Sequence, residues 1–91
     1  MAYDLPFNAL ADPVRREILT ILGERSECSA GELSELVDTV GRTAVSGHLT
    51  ILRHAGLVRE RREGRYRYYS VEPDGPVRDM IAMLQELFEI S

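Results

Sequence analysis

Seven arginines, Arg42, Arg53, Arg59, Arg61, Arg62, Arg65 and Arg67, crowd into residues 42–67, a stretch with only two carboxylates, Glu60 and Glu63. Guanidinium groups are permanently charged planar forks that suit phosphate oxygens and guanine edges. The balance in this stretch is +5, whereas residues 1–41 carry -5 and residues 68–91 carry -4, for a chain total of -4. An anionic body with one cationic stripe turns a phosphate backbone toward the stripe and repels it elsewhere, which favours register over indiscriminate sticking. All eleven cationic residues are Arg. A GC-rich coding sequence produces the same bias, so nothing further rests on it.

Other chemistries find little support. No serine, histidine and carboxylate arrangement is discernible and no glycine-rich phosphate loop is present, so the sequence does not read as an enzyme. Cys28 is the only cysteine, which excludes an intrachain disulfide and a thiolate metal cage within one chain. It lies just before a capped helix, where a thiol pKa can fall, so a thiol sensor and an inert small residue are both open readings. His48 and His54 have no Cys or His partner at ligand spacing, and His54 near a helix C-terminus gains from the dipole when protonated. No metal and no cofactor are expected. Asp74, Asp79, Glu86 and Glu89 read as a solvated helix face.

These residues need elements to position them. At 91 residues the chain is expected to form one domain, 1–91. A domain of this size buries only about 60 to 65% of its unfolded surface, so a partner subunit would help. No positive charge precedes an apolar run at the N-terminus, and no apolar stretch approaches the ~20 residues needed to cross a membrane. A cytoplasmic protein without a membrane partner is expected.

Leu5, Phe7 and Leu10 suggest a short helix over about 4–11. Asp12 then serves as N-cap with Pro13 at the first helical position. Val14, Ile18, Ile21 and Leu22 mark the buried face of a helix ending near Gly23, with Arg15 and Arg16 off that stripe. Ser29-Ala-Gly-Glu32 fits a capping box and opens a short helix with Leu33, Leu36 and Val37 inward. After the turn Asp38-Thr39-Val40-Gly41, a helix over Arg42 to Ala55 places Val45, Leu49 and Leu52 on the core face, and Gly56 stops it.

Two helices around a tight turn, the second with a polar outer face, make a helix-turn-helix over about 30–55. Arg42, Thr43, Ser46, Gly47, Thr50 and Arg53 lie on that face. Leu57 to Arg62 and Tyr66 to Val71 read as two strands around Glu63-Gly64, a wing over about 57–71. Alternation puts Tyr66 and Tyr68 on one face and Tyr69 and Val71, with Arg65 and Arg67, on the other. Arg62 and Arg65 then flank a tip that can enter a minor groove.

A last helix over about 76–90 carries Val77, Met80, Ile81, Met83, Leu84, Leu87, Phe88 and Ile90, too broad a stripe for one short domain to cover. A homodimer interface is therefore expected from Leu5, Phe7, Val77, Met80, Ile81, Leu84, Leu87 and Phe88. Cover of this stripe by Leu5 and Phe7 of the same chain is the alternative. The fold class expected is mainly α with a small β-hairpin (α+β), a winged helix-turn-helix in the order helix, helix, helix, helix, strand, strand, helix.

Four segments, Leu10-Ala-Asp-Pro-Val-Arg-Arg-Glu-Ile-Leu19, Ala44-Val-Ser-Gly-His-Leu49, Leu52-Arg-His-Ala-Gly-Leu-Val58 and Glu63-Gly64-Arg65 with Tyr68-Tyr69, occur in this order along the chain. Together they resemble the ArsR-type (arsenical-resistance repressor-like) winged helix-turn-helix family of bacterial transcription regulators. The resemblance implies a homodimer joined through the first and last helices, on a roughly palindromic double-stranded DNA operator, with one recognition helix per half-site. Repression would follow by steric exclusion of RNA polymerase.

Many members of that family release DNA when a metal binds, through a cysteine pair at the start of the helix before the recognition helix or a His and carboxylate set on the last helix. Here the first place reads Ser29-Ala30-Gly31, and the last helix has no histidine. Both familiar metal sites are therefore expected to be lacking. Two further departures concern the reading helix: the turn Asp38 to Gly41 is one residue longer than the usual spacing, and Gly47 stands where relatives often place Arg, His or another long side chain. Gly47 would let the helix sit close to a groove, with Ser46 and Thr50 reading edges at short reach; drift at that position is the alternative.

Two other functions stay open at this point. One is a winged-helix module that recognises protein rather than DNA, although such a module would not require the +5 segment. The other is a repressor responsive to an effector at the dimer seam, such as a small organic molecule or a carboxylate-bound metal.

Overall fold

The computed structural model describes residues 8–73. It begins with a helical turn at residues 8–10, where Ala9 is already part of the core. Asp12 opens the first full helix, α1 (Pro13–Glu24), its carboxylate accepting from the backbone N–H of Val14 at 2.8 Å and of Arg15 at 3.3 Å. These bonds satisfy donors that a helix start leaves without partners, and Pro13 at the first position has no N–H to satisfy. Ile18 and Leu22 are buried, with Val14, Leu19 and Ile21 packed at their edge. The helix runs one residue beyond Gly23 and closes at Arg25, in extended geometry.

A two-residue strand, β1 (Cys28–Ser29), follows, which the sequence pattern did not indicate. It pairs antiparallel with the second wing strand, Cys28 opposite Tyr69 and Ser29 opposite Tyr68. The sheet is therefore three-stranded, and a strand stands between the second and third expected helices. Two residues are too few for an alternation signal, so the pairing is visible only in three dimensions.

Ser29 also caps α2 (Ala30–Leu36). Its hydroxyl accepts from the Glu32 N–H at 3.1 Å while the Glu32 carboxylate accepts from the Ser29 N–H at 2.9 Å, the reciprocal pair of a capping box. Leu33 and Val37, four residues apart, are buried, but Leu36 is 39% exposed, against the expectation that it points inward. A helix this short buries one line of side chains, and the position one residue off that line turns outward. Val40 plugs the following turn by packing on the core.

In α3 (Arg42–His54), Val45, Leu49 and Leu52 are buried, as their spacing requires. Its end is well defined. Gly56 takes a positive φ of 75°, its N–H bonds to the Arg53 carbonyl, and the Leu57 N–H bonds to the Leu52 carbonyl. This is the Schellman arrangement, in which only glycine enters the left-handed region without cost. Leu57 is fully buried and seals it.

The wing is β2 (Val58–Glu63) and β3 (Tyr66–Val71), antiparallel, with Glu63 opposite Tyr66 across Gly64-Arg65. Gly64 has φ 60° and Arg65 does not enter the positive-φ region, which fits a two-residue turn with glycine in its first central place. Cross-strand partners share a face. Val58 with Val71, Glu60 with Tyr69 and Arg62 with Arg67 form one face, and Arg59 with Ser70, Arg61 with Tyr68 and Glu63 with Tyr66 form the other. Val58 and Tyr69 are buried while Arg62 and Arg67 are exposed, so the first face belongs to the core at its base and leaves it toward the tip.

Leu5, Phe7, Val77, Met80, Ile81, Leu84, Leu87 and Phe88, and the helix expected over 76–90, lie outside the described residues.

Candidate nucleic-acid interface

Because Val45, Leu49 and Leu52 fix the inner side of α3, the opposite side must face away from the core. Arg42, Thr43, Ser46, Gly47, Thr50 and Arg53 are all exposed there, on one helix, as their spacing led us to expect. Ala44, Ile51 and His54 share the exposed surface and were not singled out from the sequence; Ile51 is 45% exposed. Thr50 donates its hydroxyl to the Ser46 carbonyl at 3.1 Å, leaving its oxygen lone pairs as acceptors. A β-carbon placed on Gly47 would meet nothing within 4 Å, so the glycine is not required by packing inside the chain.

The N-terminus of α3 is equally open. Gly41 is its N-cap and supplies no side-chain hydrogen bond, so the first N–H groups keep the partial positive charge that attracts anions. Arg42 is the first residue of that turn.

The arginines of α3 and of the wing fall into two sets. Arg61 is bound to carboxylates: it donates to both oxygens of Glu27, at 3.1 and 2.8 Å, and to Glu63 at 3.1 Å, while its guanidinium carbon lies 4.6 Å from the centroid of the Tyr68 ring. The bond from Arg61 holds the Glu27 carboxyl below its ordinary range, and Glu27 in turn makes Arg61 harder to deprotonate. Arg62 donates to Glu60 at 3.1 Å. Glu60 also accepts from the Tyr69 hydroxyl at 2.7 Å, and this bond is the main reason its carboxyl stays low. Burial, with the bond to Glu60, pushes the Tyr69 phenol up.

The second set is Arg42, Arg53, Arg59, Arg65 and Arg67, which have no ion-pair partner among the described residues; Arg59 donates to the Ser70 hydroxyl at 3.3 Å. Arg65 sits at the tip and Arg67 lies directly across from Arg62. Of the seven arginines in the cationic stripe, Arg62 is partly neutralised by Glu60 and Arg61 is taken up by Glu27 and Glu63. The internal pairing of Arg61 has no sequence signal, since Glu27 is 34 residues away.

The remaining candidates resolve simply. Cys28 is 1% exposed in β1, and burial, helped by the charge of Glu32, pushes its thiol up. That is the opposite of an activated thiolate and favours the inert reading. His48 lies half-buried at the edge of α3, its Nδ1 3.3 Å from Nη1 of Arg15. Among the described residues no three His, Cys, Asp or Glu side chains converge as a metal site would need, and no helix is long and apolar enough to cross a membrane.

A helix-turn-helix domain family, HTH_20, matches residues 10–61, more than half of the chain. The arsenical resistance operon repressor of Escherichia coli is 33% identical over 79 residues, covering 84% of this chain and 67% of that protein. The chain belongs to the ArsR family of winged helix-turn-helix transcriptional regulators. Another relative is the transcriptional repressor SdpR of Bacillus subtilis, 35% identical over 65 residues, 71% of this chain and 70% of SdpR. Among solved structures, the homodimeric winged helix-turn-helix DNA-binding domain of a possible ArsR-family regulator from Mycobacterium bovis matches with a TM-score of 0.80 and 27% identity, covering 97% of this chain and 79% of that one. ArsR-family membership accounts for the helix-turn-helix and the hairpin together, and it places the chain among regulators rather than enzymes.

Proposed function

We propose that this ArsR-family chain is a cytoplasmic, homodimeric repressor whose single domain, 1–91, binds a palindromic double-stranded DNA operator. The α3 helix enters the major groove, and the wing tip reaches the adjacent minor groove. Arg42 and Arg53 contact phosphates at the two ends of α3, Thr43, Ser46 and Thr50 address base edges, and Gly47 allows close approach. Arg62, Arg65 and Arg67 serve the wing, where the minor groove distinguishes A·T from G·C. Dimerisation is assigned to Leu5 and Phe7 with Val77, Met80, Ile81, Leu84, Leu87 and Phe88. The homodimeric domain from Mycobacterium bovis supports that assembly by likeness, and the repressor role draws on SdpR and the arsenical resistance repressor.

The observation that carries this reading is the single exposed face of α3, with its polar and cationic residues beside a hairpin whose tip arginine has no ion-pair partner among the described residues. A protein-binding winged helix would not require that charge. A gel shift with the DNA upstream of the chain's own gene is expected to show a complex that survives excess unrelated competitor DNA. A complex lost equally to unrelated competitor would refute specific recognition.

A further inference from the structure

Arg15 was set aside by the helical pattern because it lies off the buried stripe of α1, yet its guanidinium joins three segments. Its Nε donates to the Ala9 carbonyl at 2.7 Å and its Nη2 to the Asn8 carbonyl at 3.2 Å. Its Nη1 lies 3.3 Å from Nδ1 of His48. Ala9 and Asn8 belong to the helical turn at 8–10, where the Asn8 carbonyl also accepts from the Ala11 N–H at 3.1 Å, and a cation there suits the negative end of the helix. Arg16 adds a bond to the Leu10 carbonyl at 2.7 Å. The third arm of Arg15 crosses to α3 between Gly47 and Leu49, inside the stretch that carries Ser46 and Thr50.

The chemistry of the contact fixes a proton. Arginine has five donors and no acceptor, so Nδ1 of His48 must present its lone pair, and the ring proton must sit on Nε2. Protonation of Nδ1 would instead set two cations against each other at contact distance.

We propose that Arg15 is a positioning residue for DNA recognition: acting through His48 held as the neutral Nε2–H tautomer, it ties the turn at 8–10 to α3 and so sets the orientation of the reading face. The inference rests on α3 being the reading helix. It assigns Arg15 no contact with DNA, which separates it from Arg42, Arg53 and the wing arginines. Lysine keeps the charge but has no fork with which to serve two carbonyls and an imidazole at once.

The direct test is the tautomer of His48 in the 15N-labelled wild-type protein at neutral pH, read from long-range proton-nitrogen correlations. Nε2–H is expected; an Nδ1–H tautomer or an imidazolium would overturn the proposal without any substitution having to fold. The functional test uses the duplex that the wild-type protein selects from a random pool. Arg15→Lys is expected to weaken binding by about tenfold, within the range for groups sharing one network, and by less than about twofold in a His48→Gln background. In Arg15→Gln, which removes the charge, the slope of log affinity against log salt should stay unchanged, because a lost phosphate contact would lower it by about one unit. A slope lowered by that amount, or equal losses in both backgrounds, would overturn the positioning role. If the wild-type protein selects no duplex while His48 shows the Nε2–H tautomer, the DNA-binding role fails and the positioning role falls with it; the tautomer tells this outcome from a failure of the contact.

Discussion

Replacing Gly47 by alanine separates what the fold needs from what recognition needs. Gly47 is an interior residue of α3 and has no positive φ, so alanine adopts its backbone without strain. A β-carbon there meets nothing within 4 Å, so the methyl group neither clashes nor gains burial. What remains is intrinsic helix propensity, which favours alanine over glycine by about 1 kcal/mol in a helix interior. For a domain of this size that raises the melting temperature by roughly 4–8 °C. Recognition should move the other way. If the bare backbone at Gly47 lies against base edges, a methyl group holds α3 off the groove, and specific binding weakens by about 1–3 kcal/mol, comparable to one lost base contact. Scanning calorimetry and fluorescence anisotropy on one preparation read both quantities. A variant that is more stable and binds with unchanged affinity and base preference would refute close approach, and one that is no more stable would refute the exposed helical setting of Gly47.

Other substitutions test separate parts of the structure. Arg65→Ala should lower the slope of log affinity against log salt by about one unit, since each phosphate contact releases condensed counterions; Arg61→Ala, whose guanidinium is committed to Glu27 and Glu63, should leave that slope unchanged. Ser29→Ala removes half of the capping box and should cost about 1 kcal/mol in urea unfolding. Leu49→Ala empties the centre of the core face of α3 and should cost about 2–5 kcal/mol. Acid should destabilise the domain: Asp12, Glu27 and Glu32 are all held below their ordinary pKa values of 3.8, 4.5 and 4.5, so the unfolded chain binds protons more readily. Their contribution is present above those values and lost as pH falls through the lower folded ones, so urea midpoints should drop below about pH 4.5, and Glu32→Gln should flatten the dependence.

Local chemistry made much of this fold legible. Asp12 with Pro13, Ser29 with Glu32, and Gly56 each stop or start a helix through bonds within a few residues, and they behave as their spacing suggests. The second wing strand, Tyr66–Val71, follows from alternation and from a glycine turn before it. What escaped depends on residues far apart in the chain. Cys28 and Ser29 form a strand only because Tyr69 and Tyr68 lie beside them. Arg61 loses its place in the binding stripe to Glu27, 34 residues earlier, and Arg15 finds His48 33 residues later. The helix expected to end near Gly23 ends at Glu24, with no positive φ at the glycine. The charge count from residues 42 to 67 was therefore an upper bound on what the interface offers.

Selection of bound duplexes from a random pool, followed by sequencing, tests DNA recognition most directly. The expected product is an inverted repeat whose half-sites are centred about one helical turn, roughly 10–10.5 bp, or a multiple of it apart, as two α3 helices related by a twofold axis require. Recovery of no enriched motif, with affinity for the final pool equal to that for the starting pool, would contradict sequence-specific binding by this chain.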